Sequence, residues 1–190
     1  MLILARHGQT EANGRGLLLG RAESPLTELG RAQAAALARV LTDARRVISS
    51  PLSRALDTAA AFGRSVEVDA RWIELDYGEY DLRPWQAVPA EVWTRWREEP
   101  SFTPPGGESL VELGRRVRDA CESLAAEAAE TDVVVVTHVS PIKAAVAWAL
   151  GADDDLGWRL RVDVASITRV STSGDRPVLH AFNETVPVEG

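Results

Sequence analysis

Apolar residues fall into short dense runs that alternate with longer stretches at helical spacing. Residues 2–5 form a brief apolar run, closed by Arg6-His7-Gly8. Residues 11–26, with three glycines and Pro25, read as irregular. From Thr27 to about Thr42, Leu29, Ala36, Leu37, Val40 and Leu41 recur at the spacing of one buried helical face, with Thr27 as N-cap. Residues 46–49 read as a strand. Ser50-Pro51 resembles a cap followed by a first-turn proline, opening a helix to about Phe62 with Arg54 in its first turn. Residues 66–68 form a short strand, and 72–107 are the least regular stretch, with a short helix over 90–98. Ser109 and Glu112 make a capping box for a helix that buries Leu110, Leu113, Val117, Cys121, Leu124 and Ala128. Four consecutive valines, 133–136, read as a strand covered on both faces of a parallel sheet, and His138 ends it. Ser140-Pro141 repeats the cap-and-proline signature, and Gly151 stops that helix. Residues 164–170 and 177–182 read as a terminal strand pair. This alternation predicts one α/β domain over residues 1–190 with a mostly parallel central sheet.

The 190-residue length agrees with a single self-sufficient core. One cysteine, Cys121, excludes an internal disulfide and reads as a small buried hydrophobe. Three histidines leave no room for a His-rich metal site. No apolar run is long enough for a membrane span, and a charge at residue six argues against a signal peptide, so a cytoplasmic setting is expected. The net charge of −7 argues against a general nucleic-acid binder. Of 21 basic residues only Lys143 is a lysine, a skew that fits coding bias.

The chemistry gathers at predicted strand ends. His7 follows the first strand and His138 follows the valine strand. Ligands of open parallel sheets bind beyond the carboxyl ends of the strands. Arg6 adjoins His7, Arg54 lies in the first turn after another strand, and the helix near Pro141 directs free N–H groups to the same crevice. Two imidazoles, two guanidiniums and a helix N-terminus suit a phosphate or similar oxyanion. No Walker loop, G-x-G-x-x-G or G-x-S-x-G occurs.

Five ordered segments carry a resemblance. Arg6-His7-Gly8-Gln9-Thr10-Glu11-Ala12-Asn13 resembles the R-H-G-[EQ]-T signature of the histidine phosphatase superfamily, also called phosphoglycerate mutase-like. Ser49-Ser50-Pro51-Leu52-Ser53-Arg54-Ala55 is similar to its second arginine motif, and Glu74 with Gly78 to its acidic motif. Pro105-Gly106-Gly107-Glu108-Ser109 and Thr137-His138 with Pro141-Ile142 are similar to two further motifs. Pro25 to Gly30, with Gln33-Ala34, looks like the family's first-helix entry.

The resemblance implies a three-layer α/β/α fold and metal-independent phosphoryl transfer with no cofactor. His7 would form a phosphohistidine. Arg6, Asn13, Arg54, His138 and the Val139 backbone N–H would hold the phosphoryl oxygens, and Glu74 would be general acid and base. Thr10, Arg21 and Trp85 would line a substrate pocket, with Trp93 and Trp96 as further walls. The partner would be a small phosphorylated metabolite, without nucleic acid or membrane; a homodimer stays open. Where many relatives have glycine after the second histidine, this chain has Val139-Ser140, and Lys143 stands where arginine is common, outside the phosphate contacts. The short 81–107 region, with only Arg83, Arg95 and Arg97 as basic residues, favours a phosphatase over a mutase. A mutase is the alternative. A non-catalytic phosphate-binding module would be expected to lose His7 or Glu74, and both are present.

Overall fold

The computed structural model describes residues 1–188; Glu189 and Gly190, the end of the expected domain span, lie outside them. The strands are β1 (Leu2–Arg6), β2 (Arg46–Ser49), β3 (Val66–Val68), β4 (Val133–Thr137), β5 (Ser166–Ser171) and β6 (Val178–Thr185). They form one sheet in the order β3-β2-β4-β1-β5-β6. The β3-β2, β2-β4 and β4-β1 pairings are parallel, whereas β5 and β6 join antiparallel at one edge.

The helices are α1 (Glu11–Gly14), α2 (Glu28–Val40), α3 (Ser53–Ala60), α4 (Ala90–Glu98), α5 (Leu110–Glu130) and α6 (Val139–Leu150). Side chains alternate across each strand, so the central strands feed two separate cores. Leu2, Leu4, Val133 and Val135 pack against Leu113, Val117 and Cys121 of α5 and Ile142 of α6. Ile3, Ala5, Val134 and Val136 pack against Leu37 of α2 and Ala55 and Ala59 of α3. The result is the expected three-layer arrangement. Cys121 is fully buried, and burial raises its thiol pKa. Among the described residues no helix is long and apolar enough to cross a membrane.

The predicted strands and α4 agree closely with the structure, and Ser109–Glu112 forms its capping box. Four details differ. Leu29 and Val40 lie on the solvent side of α2, 45% and 50% exposed, because Gly30 and Ala34 share the buried face with Ala36 and Leu37. A short helix, α1, interrupts the segment read as irregular; Thr10 caps it, and Asn13 replaces the acidic partner of the usual capping box. Helix α3 starts at Ser53 with Leu52 as N-cap, leaving Ser50 and Pro51 outside. Helix α6 starts at Val139, two residues earlier than the Ser140-Pro141 signature implies, with His138 at its N-cap. Pro141 is tolerated there because donors in the first helical turn have no intrahelical partner to lose.

The loop after β1 is pressed onto the start of α2. The Gln9 N–H donates to Gln33 Oε1 at 2.8 Å and Thr27 N–H to the Gln9 carbonyl at 2.9 Å. A Cβ on Gly8 would overlap the Gly30 carbonyl, and one on Gly30 would overlap the Gln9 carbonyl. Backbone touches backbone on both sides, so neither neighbour yields by a rotamer change. Gly30→Ala is therefore expected to cost about 1–3 kcal/mol in urea unfolding; an unchanged midpoint would show that this approach is not a constraint.

Candidate active site

Three parallel strands deliver the central groups side by side. The β1–β4 register pairs Arg6 with Thr137, so His7 and His138 follow adjacent strand ends. The β2–β4 register pairs Ser49 with Val136, which brings Ser50 beside them. The two imidazole centroids are 5.1 Å apart at 58°. Two hydrogen bonds fix the turn after β1: His7 N–H to the Thr137 carbonyl at 3.0 Å and Gly8 N–H to Thr58 Oγ1 at 3.1 Å.

The hydrogen bonds select a tautomer for each ring. His7 Nδ1 is 2.7 Å from the Gly8 carbonyl, which only accepts. Nδ1 therefore carries the proton, and Nε2 presents its lone pair. His138 Nδ1 lies 3.3 Å from Arg54 Nε, which only donates, so here Nδ1 accepts. His138 Nε2–H then donates to Ser50 Oγ at 2.7 Å. That contact explains why Ser50 is not the cap of α3.

Both arginines are held by backbone carbonyls. Arg54 is fully buried and donates to the Ala22 carbonyl at 2.9 Å and the Gly20 carbonyl at 2.6 Å. Arg6 donates to the Val162 carbonyl at 2.7 Å, while its buried Nε–H has no partner. Burial lowers the Arg6 pKa to about 10, against an opposing contribution from Glu74, and also lowers that of Arg54. The pKa values of His7 and His138 lie well below the ordinary histidine value. Burial is the main cause, with Arg6 and Arg54 adding to it. Neutral imidazoles, desolvated guanidiniums and a spare buried donor make an oxyanion the fitting guest. Among the described residues, no group of three or more His, Cys, Asp or Glu is gathered to hold a metal.

Glu74 is buried at the edge of this group. Its Oε1 accepts from Leu75 N–H at 2.7 Å and from Ser140 N–H, in the first turn of α6, at 3.1 Å. Arg116 of α5 holds the segment that carries it. It donates to the carbonyls of Arg71 (2.6 Å), Ile73 (2.7 Å) and Glu74 (3.3 Å), and pairs with Glu108 at 2.7 and 2.8 Å. Sequence reasoning missed both Ser50 and Arg116. Ser50 was disguised by a helix-start signature, and Arg116 is one arginine among many on a helix, with a role set only by tertiary packing.

The remaining expected residues scatter more widely. Asn13 Oδ1 accepts from Thr10 N–H at 3.2 Å and Thr10 Oγ1 at 2.9 Å, leaving the Asn13 amide NH₂ outside the cap. Thr10 is buried, so it acts through Asn13. Asn13, Arg6 and the largely exposed Trp85 line one open cavity of about 380 Å³. Val139 opens α6 next to His138. The Arg21 side chain pairs with Asp76 at 3.2 Å and Glu108 at 3.3 Å, away from the histidines. Trp93 and Trp96 line a separate cavity beyond Ser140, together with Tyr77.

Comparison with known proteins agrees with this geometry. A family model described as histidine phosphatase superfamily (branch 1) matches residues 2–185. A bifunctional protein of Mycobacterium tuberculosis is 37% identical over 180 residues, covering 88% of this chain and 49% of the relative; the chain thus spans about half that protein's length. A putative phosphoserine phosphatase of Hydrogenobacter thermophilus is 32% identical, covering 96% of this chain and 95% of the relative. A structure of mycobacterial glucosyl-3-phosphoglycerate phosphatase with VO3 superposes with a TM-score of 0.86 at 32% identity, covering 97% of this chain and 99% of that one.

The depressed histidines have a consequence for stability. In the unfolded chain each imidazole takes up a proton near its ordinary value of 6.5, but in the folded site it resists doing so. Below that value the unfolded chain binds more protons, so stability falls as pH falls. Each histidine should contribute a loss of about 1.4 kcal/mol per pH unit below 6.5, until its folded value is reached. Denaturation at pH 7.0 and 5.5 should show this slope flattening in His7→Gln/His138→Gln. An equal slope in both proteins would place the acid sensitivity elsewhere.

Proposed function

This chain belongs to the histidine phosphatase superfamily, and from that membership we propose that it hydrolyses small phosphomonoesters through a phosphohistidine on His7, without a metal. The observation that carries this reading is the tautomer of His7. Its Nδ1–H is spent on the Gly8 carbonyl, so the Nε2 lone pair lies among Arg6, Arg54 and His138. A neutral imidazole is a nucleophile near pH 7, and the surrounding charge keeps this one neutral.

In the first step Nε2 forms a bond to phosphorus as the bond to the leaving oxygen breaks. Glu74, in its acid form, passes a proton to that oxygen. In the second step water attacks phosphorus, its proton goes to Glu74, and the P–N bond breaks to release inorganic phosphate. Charge on the phosphoryl oxygens is met by the spare Nε–H of Arg6, by Arg54 and His138, and by N–H donors of Asn13 and Val139. Fixed donors of this kind are the main catalytic device of phosphoryl transfer, and here guanidiniums take the part a divalent cation plays elsewhere.

His7→Ala should lower phosphate release from a generic aryl phosphate by more than about 10³-fold and abolish acid-labile labelling of the protein. EDTA should leave the wild-type rate unchanged. Wild-type turnover by His7→Ala, or inactivation by EDTA, would overturn the assignment. Glu74→Gln should slow alkyl phosphates by about 10²–10⁴-fold and nitrophenyl phosphate much less, because that leaving group needs no proton. Equal slowing of both would move the acid elsewhere.

A further inference from the structure

A cavity of about 210 Å³ lies between the start of α6, the aromatic residues of segment 77–96 and the 3₁₀ turn Asp154–Arg159. Tyr77, Trp93, Trp158 and Val139 give it apolar, largely aromatic walls. Lys143, one turn into α6, reaches the same space. Its ammonium has no ion pair among the described residues, whereas Asp154, the other charged group of the lining, is drawn to Arg118 at 3.7 Å. Burial lowers the Lys143 pKa, with Glu74 opposing the shift and Arg6 adding to it, so this ammonium feels the charges of the catalytic group. A half-buried cation in an apolar wall is costly without a counter-ion.

The cavity adjoins the proposed acid through one residue. Ser140 lines it, and the Ser140 N–H donates to the Glu74 carboxylate. In the reaction above, the leaving oxygen lies at Glu74 and opposite the His7 lone pair. The rest of the leaving alcohol must then extend past Glu74, toward this cavity.

We propose that the cavity receives the alcohol portion of the substrate and that Lys143 pairs with a carboxylate on it, making small hydroxy-acid phosphomonoesters the preferred substrates. The inference rests on the phosphatase reading and deepens it. One ammonium matches one carboxylate. A second phosphate would bring two negative charges into a space already near Glu74 and Asp154. A partner-less ammonium also rejects the neutral analogue, because binding that analogue would leave the cation unmatched and further desolvated.

The test compares 3-phosphoglycerate with glycerol 3-phosphate, which share a phosphoester and carbon skeleton and differ in carboxylate against hydroxymethyl. Wild type should favour the acid at least tenfold in kcat/KM. Lys143→Met should collapse that preference mainly through KM, and Lys143→Arg should restore part of it. An unchanged preference in Lys143→Met overturns the proposal. So does an equal loss on both esters, which would mean that Lys143 acts through Glu74. Binding is read separately in a His7→Ala background by tryptophan fluorescence, since Trp93 and Trp158 line the cavity. Preferential binding of 3-phosphoglycerate that Lys143→Met removes supports the cavity assignment even if neither ester is hydrolysed. Equal binding of both esters overturns it, whatever the turnover.

Discussion

Two buried guanidiniums beside two neutral imidazoles are the constraint around which this molecule is organised. Desolvating one arginine is costly, and placing a second nearby adds repulsion. The fold offsets this with backbone rather than with acids. Carbonyls of Gly20, Ala22 and Val162 accept from Arg54 and Arg6, and each belongs to an irregular segment whose carbonyl is not consumed by a helix or sheet ladder. Carbonyl dipoles hold a cation without cancelling its charge. The site therefore stays electropositive, and one donor, Arg6 Nε–H, remains unspent. A carboxylate in place of those carbonyls would satisfy the arginines and compete with the guest anion.

The same economy governs the histidines. Each ring is told which nitrogen to protonate by a neighbour that can only accept or only donate: the Gly8 carbonyl for His7, the Arg54 guanidinium for His138. Strand register places both rings, because parallel pairing of β1 with β4 fixes their separation before any side chain is chosen. Glu74 depends on a longer chain of support. Arg116 grips three carbonyls of the segment leading to it and is itself oriented by Glu108. The segment Pro105-Gly106-Gly107-Glu108-Ser109 thus does two jobs, bracing Arg116 and capping α5 at Ser109.

How much of this was legible in the residues depends on how local its cause is. The valine strand, the Ser109 capping box and the Gly151 stop are local signals, and the structure agrees with each. The two serine–proline starts were misread because Ser50 answers to His138, a partner 88 positions away, and because Pro141 can sit deeper in a first turn than its usual place. Arg6, His7, Arg54 and His138 were placed together from strand ends and motif order, and their juxtaposition follows from the sheet. Arg116 had no signal of its own, since its worth lies in carbonyls more than 40 positions upstream. The side chain of Arg21 was expected to face the pocket, but the nearby acids Asp76 and Glu108 draw it aside.

The site is thus built from two kinds of material with different freedom to vary. Groups that meet the phosphoryl oxygens sit at strand ends and first turns, where a shift of one residue would break sheet register or reverse a side chain's face. The wall beyond Ser140 is made of a short helix, 3₁₀ turns and aromatic edges. Tyr77, Trp93 and Trp158 there contact one another or Trp96 rather than a strand. Substitutions in that wall change the shape and charge offered to a leaving group without disturbing the imidazoles. Lys143 stands at the junction, anchored on α6 one turn after the residues that follow His138, yet directed into the aromatic space. A change of charge at that position can therefore alter which ester fits while the machinery that breaks the ester stays in place.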